Sequence, residues 1–216
     1  MILGGTQTIE VAVVTGDADL PFTRTAFIEQ GILAKHSLAK EDNSIFWLGA
    51  NERGQGVIYR ADGYVPTRVS DFALEQAIAG YANPEDAVAY TYQQGGHHFY
   101  VIHFAEASWC YDINTRLWSQ RGYRNQTTGE IGRHRGGEHA FFNGTHVVGD
   151  WEDGRLYALD LDTYTDDGDE IYRERVWAQL HAENRRMFFH KGELIAEMGV
   201  GLDGDSETGA DPQVWL

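Results

Sequence analysis

Eight acidic side chains fall between Asp150 and Asp169 in the run GDWEDGRLYALDLDTYTDDGDEIYRER, and they are the first residues whose type and density could do chemistry. A calcium loop of the EF-hand kind needs oxygen ligands at fixed positions, a glycine at the sixth and a glutamate at the twelfth. Counted from Asp162, the third position is Tyr164, the sixth Asp167 and the twelfth Arg173, so the pattern fails at each. Counted from Asp203, the sixth position is Thr208, and Asp203, Asp205 and Glu207 remain as a looser set of calcium-type oxygens. The competing assignment makes these acids turn residues that end strands, and that is the expectation adopted: punctuation, with no metal site and no cofactor.

Histidine offers two further starting points. HRGGEH, from His134 to His139, has one residue too many for the inverted zinc-protease pattern and no third ligand nearby in the sequence. His97 and His98 would point to opposite faces of a strand, so they cannot chelate one metal together. Paired carboxylates for glycoside hydrolysis are not singled out either. With 33 acidic residues some pair always meets the spacing, and Asp62, Asp112, Asp150 and Asp160 sit where Asp is a normal turn residue. There is no Gly-x-Ser-x-Gly elbow, Walker loop or dinucleotide-binding glycine pattern, so no catalytic residue is assigned. Cys110, between Trp109 and Tyr111, reads as a small buried hydrophobe.

The one positive stretch is TRLWSQRGYRNQTTGEIGRHRGGEH, where Arg116, Arg121, Arg124, Arg133 and Arg135 stand against Glu130. Arginine interleaved with Trp118 and Tyr123 is the composition of a surface that grips carboxylates or phosphates, and its Gly and Asn content predicts a loop. These five arginines are the interface candidates.

The elements that must position these residues are short aromatic strands. Across 216 residues, 25 glycines accompany 6 Trp, 11 Tyr and 10 Phe, with only 4 prolines. Three segments share one plan of apolar strand, turn, then a strand carrying an aromatic: Ile45 to Gly63, His98 to Arg121, and His146 to Gly168. Corresponding points recur at about 45 to 55 residues, the period of a propeller blade. The expected fold is all-β, a propeller-like array of four-stranded antiparallel blades, with blade-like units at roughly 22–68, 86–124, 138–180 and 185–216. Residues 69–80 read as one short helical insertion, capped by Ser70 and ended by Gly80. The first strand lacks a neighbour and the last apolar strand stops abruptly, which reads as a piece of a longer propeller.

The net charge of −16 repels nucleic acid phosphates, so sequence-specific DNA binding is not expected. No stretch approaches the roughly 20 apolar residues of a membrane-spanning helix.

FWLGANERGQGVIYRADGYVPTRVS, GGHHFYVIHF, WCYDINTRLWSQR and VVGDWEDGRLYALDLDTYTDDGDEIYRER, in that order, resemble the packaged-DNA stabilisation proteins of short-tailed phages, over about Ile45 to Leu216. The resemblance implies a structural virion protein of the phage tail, assembled in the host cytoplasm, with no catalytic role. It further implies a homo-oligomeric ring beneath the portal and its adaptor proteins. That ring would close the filled head and receive the tail needle and the tailspike. Members of that family are longer, and the N-terminal part reads as missing or altered. Two alternatives from other classes stand beside it. One is an acidic glycoside hydrolase. The other is a free-standing glycan-binding propeller using Trp47, Trp109, Trp118 and Trp151 as sugar platforms; their apolar neighbours point instead to burial.

Overall fold

The computed structural model describes residues 1–176, 181, 183, 185–191 and 193. They divide into two compact units, residues 1–125 with 130–160, and residues 126–129 with those described from 161 onward.

The first unit is built from four antiparallel meanders in chain order. β1 (Ile2–Gly4), β2 (Ile9–Val14) and β3 (Phe22–Ile28) make the first sheet. β4 (Ala39–Glu41), β5 (Ser44–Ala50), β6 (Gly56–Asp62) and β7 (Val65–Arg68) make the second. After α1 (Phe72–Ala79) comes a five-stranded sheet of β8 (Val88–Gln94), β9 (His97–His103), β10 (Ser108–Asp112), β11 (Leu117–Arg124) and β12 (Ile131–Arg133). β13 (Gly136–Phe142), β14 (Thr145–Asp150) and β15 (Leu156–Ala158) form the fourth. The all-β, propeller-like expectation holds, although the sheets carry three to five strands rather than four each.

Turn chemistry sets the registers. The turn residues Asp42-Asn43, Gly95-Gly96 and Asn143-Gly144 all have positive φ, the mirror-image turn whose twist matches a two-residue hairpin. Each of these turns joins the first two strands of its sheet, in three consecutive sheets.

The sheets stack face to face, and the strands between two neighbours are apolar on both sides. In β5, Phe46 and Leu48 face the third sheet, where they pack with Ile58, Tyr100, Ile102, Tyr111 and with Leu74 and Ile78 of the helix. Trp47, between them in sequence, faces the first sheet and packs with Ile9, Ile28, Val57 and Tyr59. The third sheet repeats the pattern. Tyr100 and Ile102 face the second sheet, while Tyr90, Tyr92, Val101 and Cys110 meet Val148 of the fourth.

Two buried serines complete the backbone hydrogen bonding where the outer strands stop short. The Leu48 amide donates to Ser37 Oγ at 2.8 Å, and the Leu48 carbonyl accepts from the Leu33 amide at 2.8 Å. Across the ladder the Ile58 amide donates to Ser70 Oγ at 3.1 Å, and its carbonyl accepts from the Val69 amide at 2.9 Å. Ser70 is therefore not the helix cap. Asp71 holds that position, its Oδ1 accepting from the Leu74 amide at 2.8 Å, and the helix begins at Phe72. Ser70 is drawn away by the orphan amide of β6, and its hydroxyl donates to Glu75. Gly80 does close the helix.

In the second unit, β16 (Thr165–Asp166) and β17 (Asp169–Glu170) form a two-residue-turn ribbon over Asp167 and Gly168, both at positive φ. The expected strands beyond residue 193 lie outside the described residues.

Candidate functional site

The turn acids come first. Asp112 Oδ1 accepts from the Asn114 amide at 2.9 Å, Asp150 Oδ1 from the Glu152 amide at 2.7 Å, and Asp153 Oδ1 from the Arg155 amide at 3.0 Å. Each carboxylate closes the turn that follows its own strand or opens the next, the punctuation role expected of them. Among the described residues no group of three or more His, Cys, Asp or Glu is placed to hold a metal ion. Asp203, Asp205 and Glu207 lie outside those residues.

One of these acids, Asp112, also meets histidine, as does Glu41 at the end of β4. His97 and His98 diverge as strand alternation predicts, His97 Nδ1 to Asp112 Oδ2 at 2.8 Å and His98 Nδ1 to Glu41 Oε1 at 2.9 Å. The second pair ties the third sheet to the β4–β5 turn, where Gln93 Nε2 also donates to Glu41 at 2.6 Å. Burial raises the Asp112 pKa, but hydrogen bonds from Thr115 Oγ1, His97 and the Asn114 and Thr115 amides outweigh it. The carboxyl lies below its ordinary value. Glu41 is lowered in the same way, its bonds to His98 and Gln93 overcoming desolvation. These pairings have no local sequence signal, because the partners lie 15 and 57 residues away.

Three of the four candidate tryptophans are held inside the fold. Trp47 is fully buried and its Nε1 donates to the Gly31 carbonyl at 3.2 Å. Trp109 Nε1 donates to the Tyr81 hydroxyl at 2.9 Å and Trp118 Nε1 to the Val69 carbonyl at 2.8 Å. Only Trp151 of the four is exposed, with the Arg133 guanidinium stacked 4.9 Å from its ring centroid. A row of sugar platforms at one mouth does not arise from this set.

The arginine segment is not a loop but a hairpin, with Gly122 opposite Arg133, Tyr123 opposite Gly132 and Arg124 opposite Ile131. Aromatic residues explain the order, since they hold the arginines flat against the sheets. Arg121 lies 5.5 Å from the Tyr92 ring centroid and 5.3 Å from that of Phe99. Arg135 lies 3.8 Å from the Tyr123 centroid and 3.8 Å from the Asp150 carboxylate. The structure thus divides the five candidates. Arg116 is exposed in the β10–β11 turn, Arg124 and Arg133 are half-buried on the hairpin, and Arg121 and Arg135 turn inward.

Inward of the hairpin lies a polar seam between the third and fourth sheets. His139 Nε2 and His146 Nδ1 are 2.9 Å apart, with His139 stacked on Tyr90 and His146 edge-on to Tyr92. Burial, with the neighbouring His146 imidazole, pushes the His139 pKa down. His134 is pushed down to about 4, chiefly by burial and then by the Arg121 charge. Burial, first of all, pushes the Cys110 thiol up to about 11, so it is inert as expected. The sequence does not announce this seam, because the residues of β11 read as part of a polar loop until the fourth sheet is placed beside them.

Four antiparallel meanders stacked face to face in chain order define a β-propeller architecture. The chain belongs to the phage stabilisation family described as Bacteriophage P22 Gp10, beta-propeller, whose model matches residues 1–164. The match takes in the N-terminal sheet, which the resemblance beginning at Ile45 had left out, and ends within the acidic run at residue 164. No curated protein gives a significant match.

Proposed function

We propose that the chain is a structural component of the phage tail hub that closes the portal after DNA packaging, stabilises the packaged DNA and joins head to tail. The observation that carries this reading is the family match across all four stacked sheets. In this reading the protein works in the virion as a homo-oligomeric ring against the portal and adaptor proteins, and meets the tail needle and tailspike on its far side. Its surface would contact these partners through Arg116, Arg124 and the Arg133–Trp151 stack, where a planar guanidinium pairs carboxylates in two-point fashion. The charge of −16 supports a bore that repels phosphates and leaves the duplex mobile.

The test is a particle assay. Heads filled without this protein should release their DNA and accept no tail, and adding the purified protein should restore both DNA retention and infectivity. Heads that retain DNA and acquire tails equally well without it would overturn the proposal. The triple variant Arg116→Ala, Arg124→Ala, Arg133→Ala should assemble poorly in the same assay, and unimpaired assembly would remove these residues from the interface.

A further inference from the structure

We propose that the seam between the third and fourth sheets holds a monovalent inorganic anion of chloride size, bound by Arg121, Tyr90 and His103. The argument begins with the register. Ser108 pairs with both His103 and Arg121, and Tyr90 pairs with Val101 one row along, so all these side chains occupy the face turned toward the fourth sheet.

Hydrogen bonding then fixes the protons. The Ser108 hydroxyl accepts from the His134 amide at 3.1 Å, and its other contact is His103 Nδ1 at 2.7 Å. The hydroxyl proton therefore goes to Nδ1, and neutral His103 carries its proton on Nε2. That Nε2–H is buried, in a residue 1% exposed, and has no acceptor. The Tyr90 hydroxyl, in a residue 8% exposed and with its ring 5.3 Å from His103, is likewise buried without a partner. Two orphan donors on adjacent rows of one sheet face need an acceptor.

Charge selects which acceptor. Arg121 is half-buried, stacks on Tyr92 and Phe99, and has no carboxylate in salt-bridge contact among the described residues. The other groups that feel its charge are Tyr90, Cys110, His103 and His134, which are neutral in their ordinary states. A guanidinium drawn partly out of water without an anion is unfavourable, and a water molecule would satisfy the donors without neutralising it. A halide does both. It accepts from several donors without directional preference, and a single spherical atom needs less space than a polyatomic anion beside the packed Tyr90, Tyr92 and Phe99 rings. The class is therefore chloride-like, held between sheets that would otherwise meet around an uncompensated charge.

Thermal unfolding in sodium chloride against sodium gluconate at matched ionic strength tests this. The melting temperature should rise by about 3–5 °C for each tenfold increase in chloride once the site is filling. Arg121→Met, whose flexible thioether still packs on Tyr92 and Phe99, should abolish that dependence. Equal melting in the two salts, or a chloride response unchanged in Arg121→Met, would overturn the proposal. Crystals of the unmodified protein soaked in bromide give a reading independent of the variant's folding. An anomalous peak within hydrogen-bond distance of Arg121 is the expected result, and an empty seam in fully soaked crystals rejects it.

Discussion

Replacing Ser37 with alanine removes one oxygen and should disturb two sheets. Ser37 is fully buried, its hydroxyl donates to the Ala34 carbonyl at 2.6 Å and accepts from the Leu48 amide at 2.8 Å, and its own carbonyl accepts from the Tyr100 hydroxyl at 2.9 Å. In Ser37→Ala the Leu48 N–H is left inside the core with no acceptor, while the Ala34 carbonyl keeps its bond from the Ser37 amide. Stranding one buried donor costs about 1–3 kcal/mol. At about 2 kcal/mol the melting temperature of a domain this size falls by roughly 4–8 °C. Urea unfolding followed through tryptophan fluorescence, with Trp47 fully buried as a reporter, measures the loss. The midpoint should move while the slope stays constant, because the native and unfolded surfaces are unchanged. A loss below about 0.5 kcal/mol, the range of an ordinary surface substitution, would refute the claim that Ser37 completes the backbone bonding of β5.

The remaining expectations concern single groups. Asp112 has a folded pKa below its unfolded value, so its contribution is present above the unfolded pKa and lost as pH falls through the folded one. Acid titration of stability should show that loss below about pH 4, and Asp112→Asn should flatten it. Cys110 should resist disulfide reagents in the native protein at pH 8, where roughly one thiol in a thousand is ionised, and react fully in denaturant; rapid native labelling would contradict its burial. Trp118→Phe should cost about 1 kcal/mol in urea unfolding through the lost bond to the Val69 carbonyl, and no change would show that bond to be replaceable by water.

Much of the fold can be read from the chain because its signals are local. The Phe46-Trp47-Leu48 run is apolar at every position, which only a strand covered on both faces requires, and Asp42-Asn43, Gly95-Gly96 and Asn143-Gly144 announce their hairpins. The acids at Asp112 and Asp150 end strands for a reason contained within three residues of each. What escapes is everything decided by the next sheet. Arg121 looks like a surface cation until the fourth sheet covers its face, and Ser70 looks like a helix cap until the amide of Ile58, 12 residues earlier, claims its oxygen. The arginine stretch looks like a loop because glycines and Asn125 punctuate its polar residues, yet Gly122 and Gly132 are paired strand residues.

The two faces of the third sheet differ in kind, and that difference has a thermal consequence. Toward the second sheet it buries Tyr100, Ile102 and Tyr111 against Phe46 and Leu48, apolar area whose exposure raises the heat capacity and whose attraction fades on cooling. Toward the fourth sheet it presents Arg121 and His103, met by His134 from the link between β12 and β13 and by the His139–His146 pair, groups whose hydration changes heat capacity in the opposite sense. Both junctions bury apolar area, so chilling weakens both, the first more than the second, while acid and salt act chiefly on the second. A stack of nominally equivalent sheets is in this way given a direction, with each face of the third sheet answering to a different feature of its surroundings.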